Sequence, residues 1–160
     1  MNQAVIAPVR YELTVPVSAD QAFRLFTAGF NSWWIGHHIG KADLQEVVLE
    51  SKAGGRWYER GVDGTECEWG TVLVFEPPRR LVVTWQLNAE FEYDPDPEHA
   101  SEVEVLFIEQ DGQTKVEFQH RYIERLGAGA EDLAKAVGKP DGWPGILDRF
   151  GAAAAKLAAA

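Results

Sequence analysis

The chain has 160 residues, 46% of them hydrophobic and 25% charged, so extended disorder is excluded and one domain over 1–160 is expected. Fifteen Lys and Arg against 25 Asp and Glu leave a net charge of −10, which sets long-range electrostatics against nucleic acid and anionic membranes as partners. Cys67 is the one cysteine, which excludes an intrachain disulfide and a thiolate zinc site.

Residues 1–10 hold no basic segment followed by an apolar run. No stretch reaches the ~18 apolar residues of a membrane span, so a cytoplasmic location is expected. Val9, Tyr11, Leu13 and Val15 alternate with Arg10, Glu12 and Thr14, which predicts a first strand stopped by Pro16. Ser18 followed by Gln21 forms a capping-box pattern for a helix carrying Ala22, Phe23 and Phe26 and ending near Ala28-Gly29. Phe30 and Trp33-Trp34 fall in a short Gly-bounded stretch read as a second helical turn.

Strands are predicted at about 43–50, 55–61, 66–76, 80–91, 102–110 and 114–123. Gly54-Gly55, Asp63-Gly64, Pro77-Pro78 and Asp111-Gly112 supply the turns, the last a strong two-residue hairpin signal. In the strand after the prolines, Leu81, Val83, Trp85 and Leu87 share one parity and Thr84, Gln86 and Asn88 the other, so one face is apolar. The run Tyr93 to His99 reads as a solvated, proline-punctuated acidic loop without the glycine turn of an EF-hand calcium site. Gly127-Ala-Gly129-Ala lacks a third glycine and is read as a loop, so a dinucleotide fingerprint is not supported. From Gly142 the period changes: Trp143, Ile146, Leu147, Phe150, Ala154 and Leu157 form one apolar stripe, with Pro144 in the first turn of a long helix.

These elements predict an α+β fold: a curved antiparallel sheet of about seven strands grips a long C-terminal helix, with two short helices after strand 1. The sheet has one apolar face and the helix one apolar stripe, and each buries the other. Parity leaves open whether the space between them is filled or hollow.

Trp33-Trp34, Gly54-Gly55-Arg56-Trp57, the run Gly70 through Phe75-Glu76-Pro77 to Leu81 and Trp85, His120, and Gly142-Trp143 with Ile146-Leu147 occur together and in order. In these residues the chain resembles the START-like (helix-grip, SRPBCC) superfamily and, within it, the branch similar to the activator of Hsp90 ATPase homologues. It departs from the branch at Glu50 and Lys52, where an Asp and an Arg often precede the paired glycines. The resemblance implies a hydrophobic cavity between sheet and helix. It implies roles ranging over lipid and polyketide binding, cyclisation, drug sequestration and co-chaperone work.

Projecting the alternation inward gives a candidate lining of Trp57, Trp69, Trp85, Phe107, Phe118, His120 and Tyr122 from the strands. Trp143, Leu147 and Phe150 join them from the last helix, and Trp34 from the segment before the second strand. An inward His120 must find a hydrogen-bond partner, and reads either as a satisfied core histidine or as a ligand-orienting or acid–base group. Glu59, between apolar walls, is the second candidate for acid–base work. His37 and His38 are adjacent and diverge in extended chain, with no carboxylate or Cys at ligand spacing, so no metal site is expected there, and no cofactor.

Three functions are consistent with this reading. The leading one is binding of a small hydrophobic or aromatic molecule in the cavity. The second is a cyclase- or dehydratase-type enzyme that uses Glu59 and His120 there. The third is a chaperone-interacting module. A monomer and a homodimer are both compatible with the pattern.

Overall fold

The computed structural model describes residues 5–34 and 37–160. Residues 1–4, from the stretch read for a leader, and 35–36, within the Phe30 to His38 segment, lie outside them.

The strands are β1 (Val9–Val15), β2 (Leu44–Leu49), β3 (Arg56–Gly61), β4 (Glu66–Glu76), β5 (Arg80–Trp85), β6 (Ser101–Gln110) and β7 (Gln113–Arg121). The helices are α1 (Ala19–Phe26), α2 (Phe30–Trp33), α3 (Ala130–Gly138) and α4 (Trp143–Ala159), with short helical turns at Pro97–His99 and Ile123–Leu126. All seven strands form one antiparallel sheet in the order β1-β7-β6-β5-β4-β3-β2, so a meander from β2 to β7 is closed by β1 pairing with the last strand.

Local chemistry fixes the joints. Ser18 Oγ accepts from the Gln21 amide at 3.2 Å while the Ser18 amide donates to Gln21 Oε1 at 3.3 Å, completing the capping box of α1. Asp111 and Gly112, at φ of 53° and 81°, make the two-residue turn that pairs Gln110 with Gln113. Gly70 faces Trp57 beside a register shift, and a Cβ there would lie 2.0 Å from the Thr84 carbonyl oxygen, so only glycine lets β4 and β5 approach.

The concave face is apolar. Across it run rows such as Val9–His120–Val103–Val83–Val72 and Tyr11–Phe118–Val105–Leu81–Phe75. α4 lies against this face with Trp143, Ile146, Leu147, Phe150 and Ala154 buried. Its Phe150 ring sits edge-on to Phe26 and Trp33, each at 5.2 Å, and Tyr11 donates to Asp148 Oδ1 at 2.5 Å to tie the helix to β1. The outer face carries opposite charges across strands, including Arg80–Glu104 at 2.9 Å and Arg121–Glu102 at 3.0 Å.

Three boundaries depart from expectation. The strand expected over 80–91 ends at Trp85. Asn88 Oδ1 accepts from the Glu90 and Glu92 amides, and Leu87 bridges Tyr93, so the side-chain turn folds the chain into a small flap. The strand expected to reach 123 ends at Arg121, because Tyr122 turns left-handed at φ 62° and Ile123 starts a helical turn. Ala130, the last residue of the run read as a loop, opens α3, a helix that was not expected and that buries Ala130, Leu133 and Val137 at helical spacing. Nine residues carry too few repeats for that period to stand out.

Candidate functional site

At the end of the sheet–helix interface where α3 turns into α4, packing opens into a cavity of about 430 Å³. Trp69 and Trp85 wall it from the sheet, Trp34 and His37 to Ile39 from the segment before β2, and Val137, Lys139, Asp141, Gly142, Trp143 and Ile146 from the α3–α4 corner. Phe91, at the tip of the flap after β5, stands at its edge, 39% exposed and at φ 60°. The volume lies within the range of small-molecule sites, and the walls are mostly apolar with few polar groups.

The aromatic wall is continuous. Ring centroids lie 5.6 Å apart for Trp34–Trp69, 5.4 Å for Trp69–Trp85 and 5.5 Å for Trp85–Trp143. All three pairs are edge-to-face, which suits the ring quadrupoles and holds the faces at fixed angles. Trp57 backs this wall, 5.4 Å from Trp69 and 5.9 Å from Trp85.

Glu59 is 1% exposed, yet its carboxylate is engaged on both oxygens. Oε1 accepts from the Ile39 amide at 2.6 Å and from Trp69 Nε1 at 2.9 Å, and Oε2 accepts from the Gly40 amide at 3.1 Å. Its work is mechanical: it pins the His37–Gly40 segment that forms one side of the cavity to the tryptophan that forms another. His38 Nδ1 lies 3.9 Å from Oε2 and 3.0 Å from the Gly40 carbonyl oxygen, which reinforces the same joint.

His120 is fully buried. The Trp143 indole can only donate, so its 3.0 Å bond makes Nδ1 the acceptor and leaves the ring proton on Nε2, 2.7 Å from Ser101 Oγ. Burial pushes the imidazole down to about 3 from its ordinary 6.5, so it is neutral at physiological pH. This pattern fixes Trp143 at the start of α4 and consumes both ring nitrogens.

Of the residues expected to line a site, Trp34, Trp69, Trp85 and Trp143 are brought together on the cavity wall. Trp57, Phe107, Phe118, Leu147 and Phe150 are buried but stand off it, as close-packed core. Neither Glu59 nor His120 is on the wall, so the two do not converge on one void as an acid–base pair would require. Tyr122, expected to face inward by parity, is 39% exposed and lies under the Arg125 guanidinium at 4.2 Å, because the left-handed turn breaks the alternation.

The wall's polar groups are instead His37, His38, Lys139 and Asp141, all from connections. Burial holds the His37 imidazole below its ordinary range, Arg149 pushes the same way, and Asp141 opposes them. Adjacent histidines on a loop, and charges beyond an unforeseen helix, carry no periodic signal. Among the described residues no cluster of three or more His, Cys, Asp or Glu could hold a metal ion.

The sheet wrapped on one long helix places the protein among helix-grip α+β folds. Residues 16–155 match the family described as activator of Hsp90 ATPase homolog 1-like protein, and the chain belongs to that family. Among solved structures it is similar to the anthrahydroquino-γ-pyrone synthase Txn09, with 37% identity, TM-score 0.65 and coverage of 95% of this chain and 99% of the other. It is also similar to the self-sacrificing resistance protein CalC from Micromonospora echinospora, at 29% identity and TM-score 0.69, covering 95% and 96%. CalU16 from the same organism, at 22% identity, TM-score 0.57 and coverage of 89% and 70%, shares the fold. No curated protein matches the chain. No helix among the described residues is long and apolar enough to cross a membrane.

Proposed function

We propose that the protein binds a flat, fused-ring aromatic molecule in the cavity between the tryptophan wall and the α3–α4 corner. The observation that carries this reading is the set of four indoles, from Trp34, Trp69, Trp85 and Trp143, around a void of about 430 Å³. Such rings supply large apolar area at low entropy cost, and their fixed angles offer both a face and an edge to a planar guest. The similar protein named as an anthrahydroquino-γ-pyrone synthase supports a guest of this class. Titration calorimetry with a hydroxyanthraquinone tests it. Binding is expected for the wild type and a loss of at least about tenfold (~1.4 kcal/mol) for Ala136→Trp, which fills the cavity from α3. Absence of wild-type heat, or equal heat in the filled variant, overturns it.

The 37% identity to a named synthase favours one second reading, ring closure within the same cavity. In that reading His37 takes the proton of an aryl hydroxyl, because Glu59 and His120 are engaged elsewhere. Closure of an ortho-hydroxyaryl diketone to a γ-pyrone, with release of water, should then be lost in His37→Ala but kept in His38→Ala.

A further inference from the structure

Most indoles of this protein spend their one donor within the fold. Trp33 donates to the Leu25 carbonyl at 2.9 Å, Trp34 to that of His37 at 3.0 Å, Trp69 to Glu59 at 2.9 Å and Trp143 to His120 at 3.0 Å. Trp85 does not. It is 4% exposed, and its Nε1 is buried without a hydrogen-bond partner among the described residues. Native proteins leave few buried donors in this state, and each one invites an explanation.

The polar groups that its ring neighbours hold are committed. His120, whose ring is 5.1 Å away, gives Nδ1 to Trp143 and Nε2 to Ser101, and Glu59, the partner of the neighbouring Trp69, also holds the His37–Gly40 segment. Trp85 is also a wall residue of the cavity, flanked by Trp69 and Trp143 and edged by Phe91 at 6.5 Å. The nitrogen is closed even to water in the unliganded fold, so an acceptor reaches it only as a guest displaces the rings around it; the donor then gains a bond without first giving one up, and contributes more to affinity than a solvated group would.

We infer that the cavity selects aromatic guests carrying a ring carbonyl oxygen, and that the Trp85 indole N–H is the donor that recognises it. The inference rests on the binding reading above and narrows the guest from fused aromatics in general to quinone- or pyrone-like frames. It makes Trp85 a specificity residue, in contrast to its neighbours, which contribute area and shape.

A matched probe pair separates the two levels: aminomethyl-anthraquinone and aminomethyl-anthracene, substituted at the same carbon, differ in the ring carbonyls. The wild type should bind the quinone about tenfold more tightly, and Trp85→Phe, which keeps an aromatic ring and removes the N–H, should erase that preference, with the lost ring area weakening both probes alike. Equal affinities in the wild type, or a preference that survives in Trp85→Phe, overturn the inference and leave the binding reading standing. Failure of both probes to bind the wild type removes both. Should Trp85→Phe fail to fold, the indole ¹⁵N–¹H resonance of Trp85 in the wild type decides. A downfield proton shift with the quinone and none with the hydrocarbon is expected, and equal shifts overturn the inference.

Discussion

His120 and Glu59 look alike in the alternation of their strands, as polar side chains sent into an apolar interior, and the structure gives both a mechanical task. For His120 the cost of charging a buried imidazole has a measurable consequence. Its value near 3 lies below the ordinary 6.5, so between those limits the unfolded chain takes up a proton that the folded one refuses. The contribution of His120 to stability is therefore complete above pH ~6.5 and falls as the pH drops towards 3, by at most about 1.4 kcal/mol per unit. Urea unfolding at pH 7 and pH 5 should show this loss, and His120→Gln, which can both donate and accept, should flatten the difference; an unchanged difference would exclude His120 as its source. That His120 is inward and needs partners is legible from parity. That its partners are Trp143 and Ser101 is not, because the first lies on α4 and the second on a different strand.

Among the described residues the segment His37–Gly40 shows no repeating backbone hydrogen bonds, and the Glu59 carboxylate on β3 takes up its Ile39 and Gly40 amides. Glu59→Gln keeps one carbonyl acceptor but loses the second oxygen and the charge, so an amide of this segment is left unpaired at a cost of roughly 1–3 kcal/mol. Hydrogen exchange should show faster exchange at Ile39 and Gly40 with protection retained at Val105 and Phe118 in the central strands. Equal protection throughout would mean that Glu59 does not anchor the segment. Strands, capping box and the α4 stripe were readable because their periods of two and 3.6 repeat often enough to be seen. The flap after β5, α3 and the left-handed Tyr122 were not, since each is set by a single turn or by tertiary cover. These unreadable pieces contribute Phe91, Val137 and Lys139 to the cavity rim, which explains why the tryptophan wall of the site was legible and the rest of its rim was not.

The family and helix-grip architecture follow from the order of weak motifs along nearly the whole chain, no one of which would suffice alone. Charge and stability also act on the protein together. The sequence isoelectric point is about 4.8, within the interval over which His120 withdraws its contribution, so self-repulsion vanishes while the fold weakens. Light scattering across pH should show a sharp rise near pH 4.8, and His120→Gln should reduce it at unchanged charge; a rise of the same size in both proteins would assign it to charge alone.

Trp34, Trp57, Trp69, Trp85 and Trp143 form a chain of rings whose successive centroids are 5.4–6.1 Å apart. At that spacing an excitation absorbed by one indole migrates among all five, and their transition dipoles couple into near-ultraviolet circular dichroism of the native fold alone. A quinone seated against any one of them would drain the emission of the whole group. The protein therefore carries its own optical gauge of occupancy, built from the rings that would make the contact.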